Sequence, residues 1–231
     1  MTSVQGARAR ARAEITATIK DQARRQLAAD GAAKLSLRAV AREVGMVSSA
    51  LYRYFPSRDD LLTALIVDAY DAVGEAAEAA LAAAPKADHP ARWTAVCRAV
   101  RAWALAHPHE YALIYGSPVP GYSAPQDTVG PAARVGRVLI AILRDAYTSD
   151  RISLPPLDGR LRPEAERIAA DLAPDLPPAV AVTLVAVWAQ LFGTISFEVF
   201  GQFHRVVEDR DTFFDDAAAR LGREAGLLPR L

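Results

Sequence analysis

The sequence has a single cysteine and no apolar run behind its first arginines, and both shortages limit the class of protein that we expect. One cysteine, Cys97, among 231 residues excludes an intramolecular disulfide and fits a reducing cytoplasm. Its apolar neighbours follow helical spacing, so we expect a packed thiol. No apolar run follows Arg8, Arg10 and Arg12, which argues against a secretory signal. We expect there either a flexible basic arm that contacts phosphates or a minor groove, or a solvated tail.

Several patterns that carry enzyme chemistry are also missing. The sequence shows no glycine-rich phosphate loop, no internal repeat, no paired carboxylates and no nucleophile beside an orienting base. The cluster His107-Pro108-His109-Glu110 has no second ligand group, and its proline breaks the helical spacing that a metal site would use. We therefore expect no enzyme, no cofactor and no bound metal.

The pattern of the chain predicts an all-α fold. Alanine is abundant, turn residues interrupt helical stretches, and no alternating pattern calls for a sheet. We expect about nine or ten helices in total. The first runs from about Ala11 to Asp30, with Ile15, Ile19, Ala23 and Leu27 as its inner stripe. Helices outside the motif described below are expected at about 58–83, 90–106, 109–115, 129–148, 163–173, 179–204 and 211–225.

The zero net charge conceals an asymmetry between the two ends of the chain. Residues 1–58 hold eleven basic and four acidic residues, a net charge of +7, and the remaining residues carry −7. A basic N-terminal region followed by an acidic remainder is typical of a nucleic-acid-binding protein with a separate second domain. The predicted division is therefore a DNA-binding domain at 1–58 and a second helical domain at 59–231.

The stretch from Ser36 to Phe55 predicts a helix-turn-helix. Ala41 gives a small side chain where two helices cross, and Gly45 tolerates the positive φ of a tight turn. The apolar residues that form its small core are Leu37, Val40, Val44 and Leu51. The polar residues left outside are Arg38, Arg42, Ser48, Ser49 and Arg53. A helix mounted in this way, at about residues 47–54, fits the major groove of double-stranded DNA.

The end of this motif carries a resemblance to a known family. Leu51-Tyr52-Arg53-Tyr54-Phe55-Pro56 closes the second helix, and Ser57 opens the next one with Asp60 as its capping-box partner. Over about residues 11–66 this arrangement resembles the N-terminal domain of the TetR family of bacterial transcription regulators. One departure is Val47, where the family usually has Ser or Thr as the helix cap. Ser48 could cap the helix instead.

Two kinds of DNA contact are expected at this motif. The candidates for holding phosphates are the hydroxyls of Ser36, Tyr52 and Tyr54 and the charge of Arg58. The resemblance implies that the residues approaching the bases are Arg38, Ser48, Ser49 and Ala50. Arg53, which lies on the outside of the motif, is a further expected DNA-binding residue. Arg38 can bond guanine in bidentate fashion, and the methyl of Ala50 can meet a thymine methyl. Tyr54 could instead be a core aromatic residue with its hydroxyl at the rim.

A segment without charge spans the 22 residues between Asp175 and Glu198, which is long enough to cross a bilayer. Because polar residues interrupt it and no cluster of Lys or Arg flanks it, we favour a core and dimer-interface helix and expect no membrane partner. Together with the helix at 129–148 it would form the four-helix bundle through which TetR-like proteins make homodimers. Two-fold pairing implies a near-palindromic operator with half-sites about one DNA turn apart.

Aromatic and polar residues between positions 91 and 122 are typical of a small-molecule pocket, although they could also be plain core. The region resembles a C-terminal subclass of the family named for a Trp-His-Gly signature. The matching segment here is Trp188 to Gly193, with Phe192 in place of the histidine. The resemblance implies a pocket, and the missing histidine favours a small, mostly apolar effector. The expected pocket residues are Trp93, Trp103, His107, Tyr111, Tyr115, Trp188 and Phe192.

These predictions combine into a cytoplasmic, dimeric repressor that an effector releases from its operator, with the helix at 58–83 carrying the change. A transcriptional activator, or a repressor that needs its effector in order to bind DNA, would use the same two domains. The sequence leaves these alternatives open. The alternative is a helical small-molecule-binding protein without a DNA function.

Overall fold

The computed structural model describes residues 2–228, with side chains described from residue 6 onward. This part of the chain is all-α, as predicted, and its β-type pairing is limited to an isolated bridge between Ile152 and Leu227. It contains eleven α-helices, more than the nine or ten predicted, and three short 3₁₀ turns. The α-helices are α1 (Thr2–Asp30), α2 (Leu37–Glu43), α3 (Ser48–Leu51), α4 (Arg58–Ala83), α5 (His89–Ala106), α6 (Pro108–Tyr115), α7 (Val129–Ala132), α8 (Arg134–Thr148), α9 (Arg162–Leu172), α10 (Pro178–Val199) and α11 (Arg210–Glu224).

The first helix is longer than predicted. It begins at Thr2 rather than near Ala11, so the flexible arm expected at the N-terminus is wrong. The Ala and Arg residues from position 7 to position 13 are strong helix formers, which favours the extension over that part of the stretch. Ile19, Ala23 and Leu27 are buried as expected, but Ile15, the first residue of the predicted inner stripe, is 36% exposed.

The two long apolar helices also have different bounds from those predicted. The helix expected at 129–148 is interrupted at Ala133, which leaves Gly130 and Pro131, two poor residues for a helix interior, in the separate α7. The helix expected to reach residue 204 ends at Val199, because Gly201 adopts φ +79° and closes a Schellman cap. In this cap the Gln202 N–H donates to the Phe197 carbonyl at 2.7 Å.

The chain forms two compact units. The first consists of the residues up to Tyr70 together with His107–Pro131, and the second of Asp71–Ala106 together with the residues from Ala132 onward. The core of the first unit is built from α1, α2, α3 and the start of α4, and α6 packs against α1. The domain boundary predicted after residue 58 lies in the first turn of α4, and it stays a prediction.

In the second unit α5 contacts α8, α10 and α11. Trp93 is fully buried and its indole N–H donates to the Ala218 carbonyl at 3.0 Å, so α5 and α11 are joined at this point. A Cβ added at Gly222 would lie 3.0 Å from the Trp93 ring, which shows how closely the helices approach. Cys97 is fully buried, which confirms the packed thiol, and this burial raises the pKa of the thiol to about 12.

A buried ion pair joins three helices of this unit. Arg101 on α5 donates to both carboxylate oxygens of Glu198 on α10, at 2.6 and 2.7 Å, and to Asp211 on α11 at 2.7 Å. The side chain of Glu198 is 5% exposed and that of Arg101 is 11% exposed. The bonds to Glu198 raise the pKa of Arg101, although burial opposes the shift. Because buried charges are costly without a partner, this pair fixes α10 against α5.

One face of α10 is buried and the other is exposed. Its contacts with α5, α8, α9 and α11 are those of a core helix, as predicted. Val185 and Phe197 are exposed on the remaining face. Among the residues from 2 to 228, α10 is also the helix that is long and apolar enough to cross a bilayer. Its paired carboxylate Glu198 lies near the end of the helix, within the buried face.

Candidate nucleic-acid interface

The turn between α2 and α3 has the predicted geometry. Gly45 adopts φ +71°, a conformation in which other residues are strained. The Met46 N–H donates to the Ala41 carbonyl at 2.8 Å and the Gly45 N–H to the Arg42 carbonyl at 3.2 Å, which together make a Schellman cap. Ala41 is buried in the core cluster of the first unit, which also contains Leu51 of α3.

The side chains of the motif divide as expected between core and surface. Leu37, Val40 and Leu51 are buried, and Val44, which caps α2, is half-buried. Of the residues expected to approach bases, Arg38 and Ser49 are exposed, while Ser48 and Ala50 are half-buried. Arg53, on the turn after α3, is exposed. The motif therefore presents a polar and basic surface over a small apolar core.

The recognition helix is shorter than predicted. α3 begins at Ser48 with Val47 as its N-cap and no side-chain cap bond, so the expectation that Ser48 caps the helix is wrong. Beyond Leu51 the chain tightens: the Arg53 N–H donates to the Ala50 carbonyl at 3.2 Å and the Tyr54 N–H to the Leu51 carbonyl at 2.8 Å. Proline at position 56 disfavours α-helical geometry in Phe55, so the chain does not continue as a helix beyond this turn.

The start of α4 confirms the predicted capping pair. The Asp60 N–H donates to Ser57 Oγ at 3.1 Å, and the Ser57 hydroxyl donates to the Asp60 carboxylate at 2.7 Å. This pair satisfies a backbone donor at the beginning of the helix. It also fixes the direction in which the chain leaves the Tyr52–Tyr54 turn.

The predicted phosphate contacts have different environments. Ser36 caps α2, since its Oγ accepts from the Ala39 N–H at 3.4 Å, and its hydroxyl hydrogen can still be donated outward. Tyr52 is 41% exposed, whereas Tyr54 is half-buried against the core of the first unit. Arg58 donates to the carbonyls of Ala32 and Ala33 at 2.9 and 3.4 Å. The sequence did not suggest this role of Arg58 in holding the turn before α2.

A further contact at this surface was missed by the sequence reasoning. The guanidinium carbon of Arg12 lies 4.9 Å from the centroid of the Tyr54 ring, and Arg12 Nη2 donates to the Arg53 carbonyl at 3.2 Å. Arg12 belongs to α1, so the contact joins residues that are 41 positions apart. Local periodicity gives no signal for such a pairing.

The expected effector residues of the first unit lie around α6. Tyr111 is fully buried, its ring centroid is 5.2 Å from that of Tyr115, and Tyr70 meets Tyr115 edge-on at 6.0 Å. Burial raises the pKa of Tyr70 and of Tyr115. His107, which precedes α6, is exposed.

The expected effector residues of the second unit lie on α5 and α10. Trp188 and Phe192 meet edge-on at 6.0 Å, and Phe192 is 7% exposed. Trp103 is almost fully buried, and Trp93 is held by its bond to α11. An open cleft of about 780 Å³ in this unit is lined mostly by charged residues, including Arg205, Arg210 and the paired Arg101 and Glu198, rather than by these aromatic side chains. Within residues 2–228, no group of His, Cys, Asp and Glu side chains is arranged to hold a metal ion.

The fold and this surface define a helix-turn-helix DNA-binding protein. The sequence profile of bacterial regulatory proteins of the tetR family matches residues 19–65, and that of the tetracyclin repressor-like C-terminal domain matches residues 93–221. The chain is 43% identical over 201 residues to the HTH-type transcriptional regulator Rv1816 of Mycobacterium tuberculosis, with 86% of each protein covered. The chain belongs to the TetR family of transcriptional regulators.

Solved structures have the same fold. The regulatory protein SCO4313 is 36% identical with a TM-score of 0.75, and the match covers 92% of this chain and 97% of that chain. RolR in complex with resorcinol is 18% identical with a TM-score of 0.52, and the match covers 96% of this chain and 98% of that chain. The family match at residues 19–65 favours the regulator over the alternative of a helical small-molecule-binding protein without a DNA function.

Proposed function

We propose that this regulator is a dimeric repressor that binds a near-palindromic operator and is released by a small-molecule effector. The observation that carries the proposal is the α2–α3 motif, in which Gly45 sets the turn and the exposed side chains are Arg38, Ser49 and Arg53. A surface of this chemistry fits the major groove, where an arginine distinguishes guanine through two hydrogen bonds.

The roles of the contact residues follow from their environments. Arg38 and the small residues Ser48, Ser49 and Ala50 would meet the bases. Ser36, Tyr52 and Tyr54 would donate their hydroxyls to phosphates, which supplies affinity without sequence preference. Arg58 would act mainly by holding the turn before α2, since two backbone carbonyls already accept from it. The proposed DNA-binding domain is residues 1–58, and the proposed effector-binding and dimerisation domain is residues 59–231.

The homodimer would form through the exposed apolar faces of α8 and α10. Tyr147 on α8 and Val185 and Phe197 on α10 are 44%, 38% and 55% exposed in one protomer. Covering such a face by a second copy removes apolar surface from water. Phe197→Gln should shift the protein toward monomer in analytical ultracentrifugation. Leu154→Gln is the control, because Leu154 is equally exposed (57%) but lies outside these helices.

The effector would be small and mostly apolar, as we infer from two aromatic groups. One group is Tyr111 and Tyr115, with His107 at the start of their helix, and the other is Trp188 and Phe192 with Trp103. Trp93 is not among the proposed pocket residues, because its indole N–H already donates to the Ala218 carbonyl on α11. We also assign the second domain to the Trp-His-Gly subclass, on Trp188 and Gly193. An apolar effector and a Phe192 in place of histidine are consistent with each other.

The conformational change that releases the operator would be transmitted by α4, which is continuous from Arg58 to Ala83. An effector that changes operator affinity tenfold must bind the two states with a difference of about 1.4 kcal/mol. The cellular site of this action would be the cytoplasm, where the chromosome of a bacterium lies. We propose that the DNA-bound protein represses transcription rather than activating it.

The experiment is selection of bound sequences from a random duplex pool with the purified protein at physiological salt. The proposal expects enrichment of a near-palindrome, followed by loss of the complex on titration with an effector. Small phenols, beginning with resorcinol, are suitable first probes because RolR was solved with that ligand. Arg38→Ala should relax the preference for operator over random duplex. An equal loss on both duplexes would refute base reading by Arg38.

A further inference from the structure

We propose that the N-terminal part of α1 binds the phosphate backbone of DNA beside the helix-turn-helix motif, through Arg8 and Arg12. The proposal rests on the proposed DNA-binding function. It adds to that interface an element that lies outside the motif and that has no base-reading residue.

The N-terminal part of α1 extends beyond the core of its unit. From residue 6 to residue 18 no side chain is buried, and Ile19 is the first buried residue of the helix. This stretch of 13 residues is about 20 Å long at about 1.5 Å per residue. Helices in proteins gain most of their stability by packing an apolar face. The described side chains of this stretch have no such face, so an external partner is the natural source of stabilisation.

The charge of this stretch identifies the chemistry of the partner. Residues 6–13 contain three arginines and no acidic residue, and Glu14 is the first carboxylate of the chain. A basic, exposed helix of this kind complements a polyanion. Arginine is well suited to phosphate, because its planar guanidinium can donate two parallel hydrogen bonds.

The position of Arg12 connects this stretch to the DNA-binding surface. Its guanidinium stacks on the ring of Tyr54 and donates to the Arg53 carbonyl, at the end of the recognition helix. That bond uses one of the five guanidinium N–H groups, so other N–H groups can reach a phosphate. The stacking also holds the side chain beside Tyr54, one of the two tyrosines that we propose as phosphate contacts. Arg12 is therefore placed before DNA arrives.

Helical spacing assigns Arg8 to the same contact and excludes Arg10. Residues four positions apart lie on one face of a helix, so Arg8 lies one turn before Arg12 on the same side of α1. At about 100° per residue, Arg10 lies on the opposite side of the helix. Arg10 is also exposed, so it offers the same charge without the same position.

The test is the salt dependence of operator binding, measured by fluorescence anisotropy with the full chain and a selected duplex. Each phosphate contact contributes about 0.9 to the slope of log K against log salt. Arg8→Gln and Arg12→Gln should therefore each reduce the slope by about 0.9 per protomer, or about 1.8 per dimer. Both should weaken operator and random duplex by the same factor. Arg10→Gln should leave the slope unchanged, and Arg12→Lys, which keeps the charge, should retain most of it.

The outcomes separate this proposal from the function on which it rests. Unchanged slopes for Arg8→Gln and Arg12→Gln would overturn it, and so would an equal reduction by Arg10→Gln, which would indicate a diffuse charge effect. If Tyr52→Phe weakens binding while the α1 variants bind like the wild type, the α1 contact fails and the DNA-binding function stands. If the wild-type protein binds no DNA, both fail. Glutamine is a good helix former, so these variants should keep α1 intact.

Discussion

Removal of Glu198 should destabilise the second unit far more than removal of an exposed carboxylate. In Glu198→Ala, Arg101 loses its bonds at 2.6 and 2.7 Å and keeps Asp211, whose side chain is 89% exposed. An exposed carboxylate contributes about 0–1 kcal/mol, and the Phe214 ring, whose centroid is 5.0 Å from the Arg101 guanidinium carbon, also stays in place, so most but not all of the compensation for the buried charge would be lost. Removing one partner of a buried pair costs about 3–5 kcal/mol, and we expect a loss near the lower end of that range, because Arg101 also lines the open cleft of this unit, where water can reach it.

Replacing both partners should restore most of the stability. Arg101→Met combined with Glu198→Leu removes both charges and keeps a similar volume, and such exchanges are often neutral or stabilising by about 1–4 kcal/mol. The interaction energy in the double-mutant cycle should therefore lie near the upper end of the usual range of about 0.5–3 kcal/mol.

The assay is urea denaturation followed by circular dichroism at neutral pH, at one fixed protomer concentration because dimerisation would add to the apparent stability. Asp215→Ala is the matched control, because it also removes a bidentate partner of an α5 arginine, Arg98, on α11. That pair is exposed, with side chains 56% and 39% accessible, so its loss should cost no more than about 1 kcal/mol. Equal losses for Glu198→Ala and Asp215→Ala would refute the reasoning.

Three further predictions concern single positions. Gly45→Ala should lower the free energy of unfolding by about 1–2 kcal/mol, because the cost is in φ and not in space, and Gly45→Asn should cost less. The pKa of His89 is lowered, mainly by burial and then by Arg92, so the folded state favours the neutral ring. Acidification through the unfolded-state pKa, about 6.5, should therefore destabilise the wild type more than His89→Gln in urea titrations at pH 7 and pH 5.5. The Cys97 thiol should react with Ellman's reagent only after denaturation, since it is fully buried; rapid reaction of the native protein would contradict this.

The His89 prediction rests on a chain of hydrogen bonds with a defined direction. Arg92 Nη1 lies 3.4 Å from His89 Nδ1, and an arginine only donates, so Nδ1 accepts and carries no proton. His89 Nε2 therefore donates to Ser149 Oγ at 3.0 Å, while the Ser149 hydroxyl donates to the Asp145 carbonyl. Protonation of Nδ1 would place an N–H against the guanidinium. A pH profile of His89→Gln equal to that of the wild type would exclude this account.

The local features of the DNA-binding motif could be predicted from the sequence. The Gly45 turn, the small residue Ala41 and the Ser57–Asp60 cap each depend on residues within a few positions, where side-chain size and φ preference act directly. The end of α10 could also have been predicted, because Gly201 is a typical residue for the left-handed C-cap of a helix, although the predicted helix continued to residue 204. The α-helix itself was easier to predict than the residue at which it stops.

The contacts between distant residues could not be predicted in this way. Nothing in the spacing pairs Arg101 with Glu198, or Arg12 with Tyr54, since these contacts arise only when helices pack. For the same reason the aromatic residues expected around an effector could not be sorted in advance. Trp93 and Trp188 are both tryptophans in predicted helices, so the sequence treats them alike, yet the Trp93 indole N–H donates to a carbonyl of α11.

The most direct test of the account is the dependence of binding on half-site spacing. A duplex with the selected operator is compared with one in which about five base pairs, half a DNA turn, are inserted between the half-sites. The account predicts that the insertion abolishes tight binding, because the two recognition helices of a dimer would then face opposite sides of the DNA. Equal affinity for the two duplexes would contradict a two-fold dimer that reads both half-sites at once.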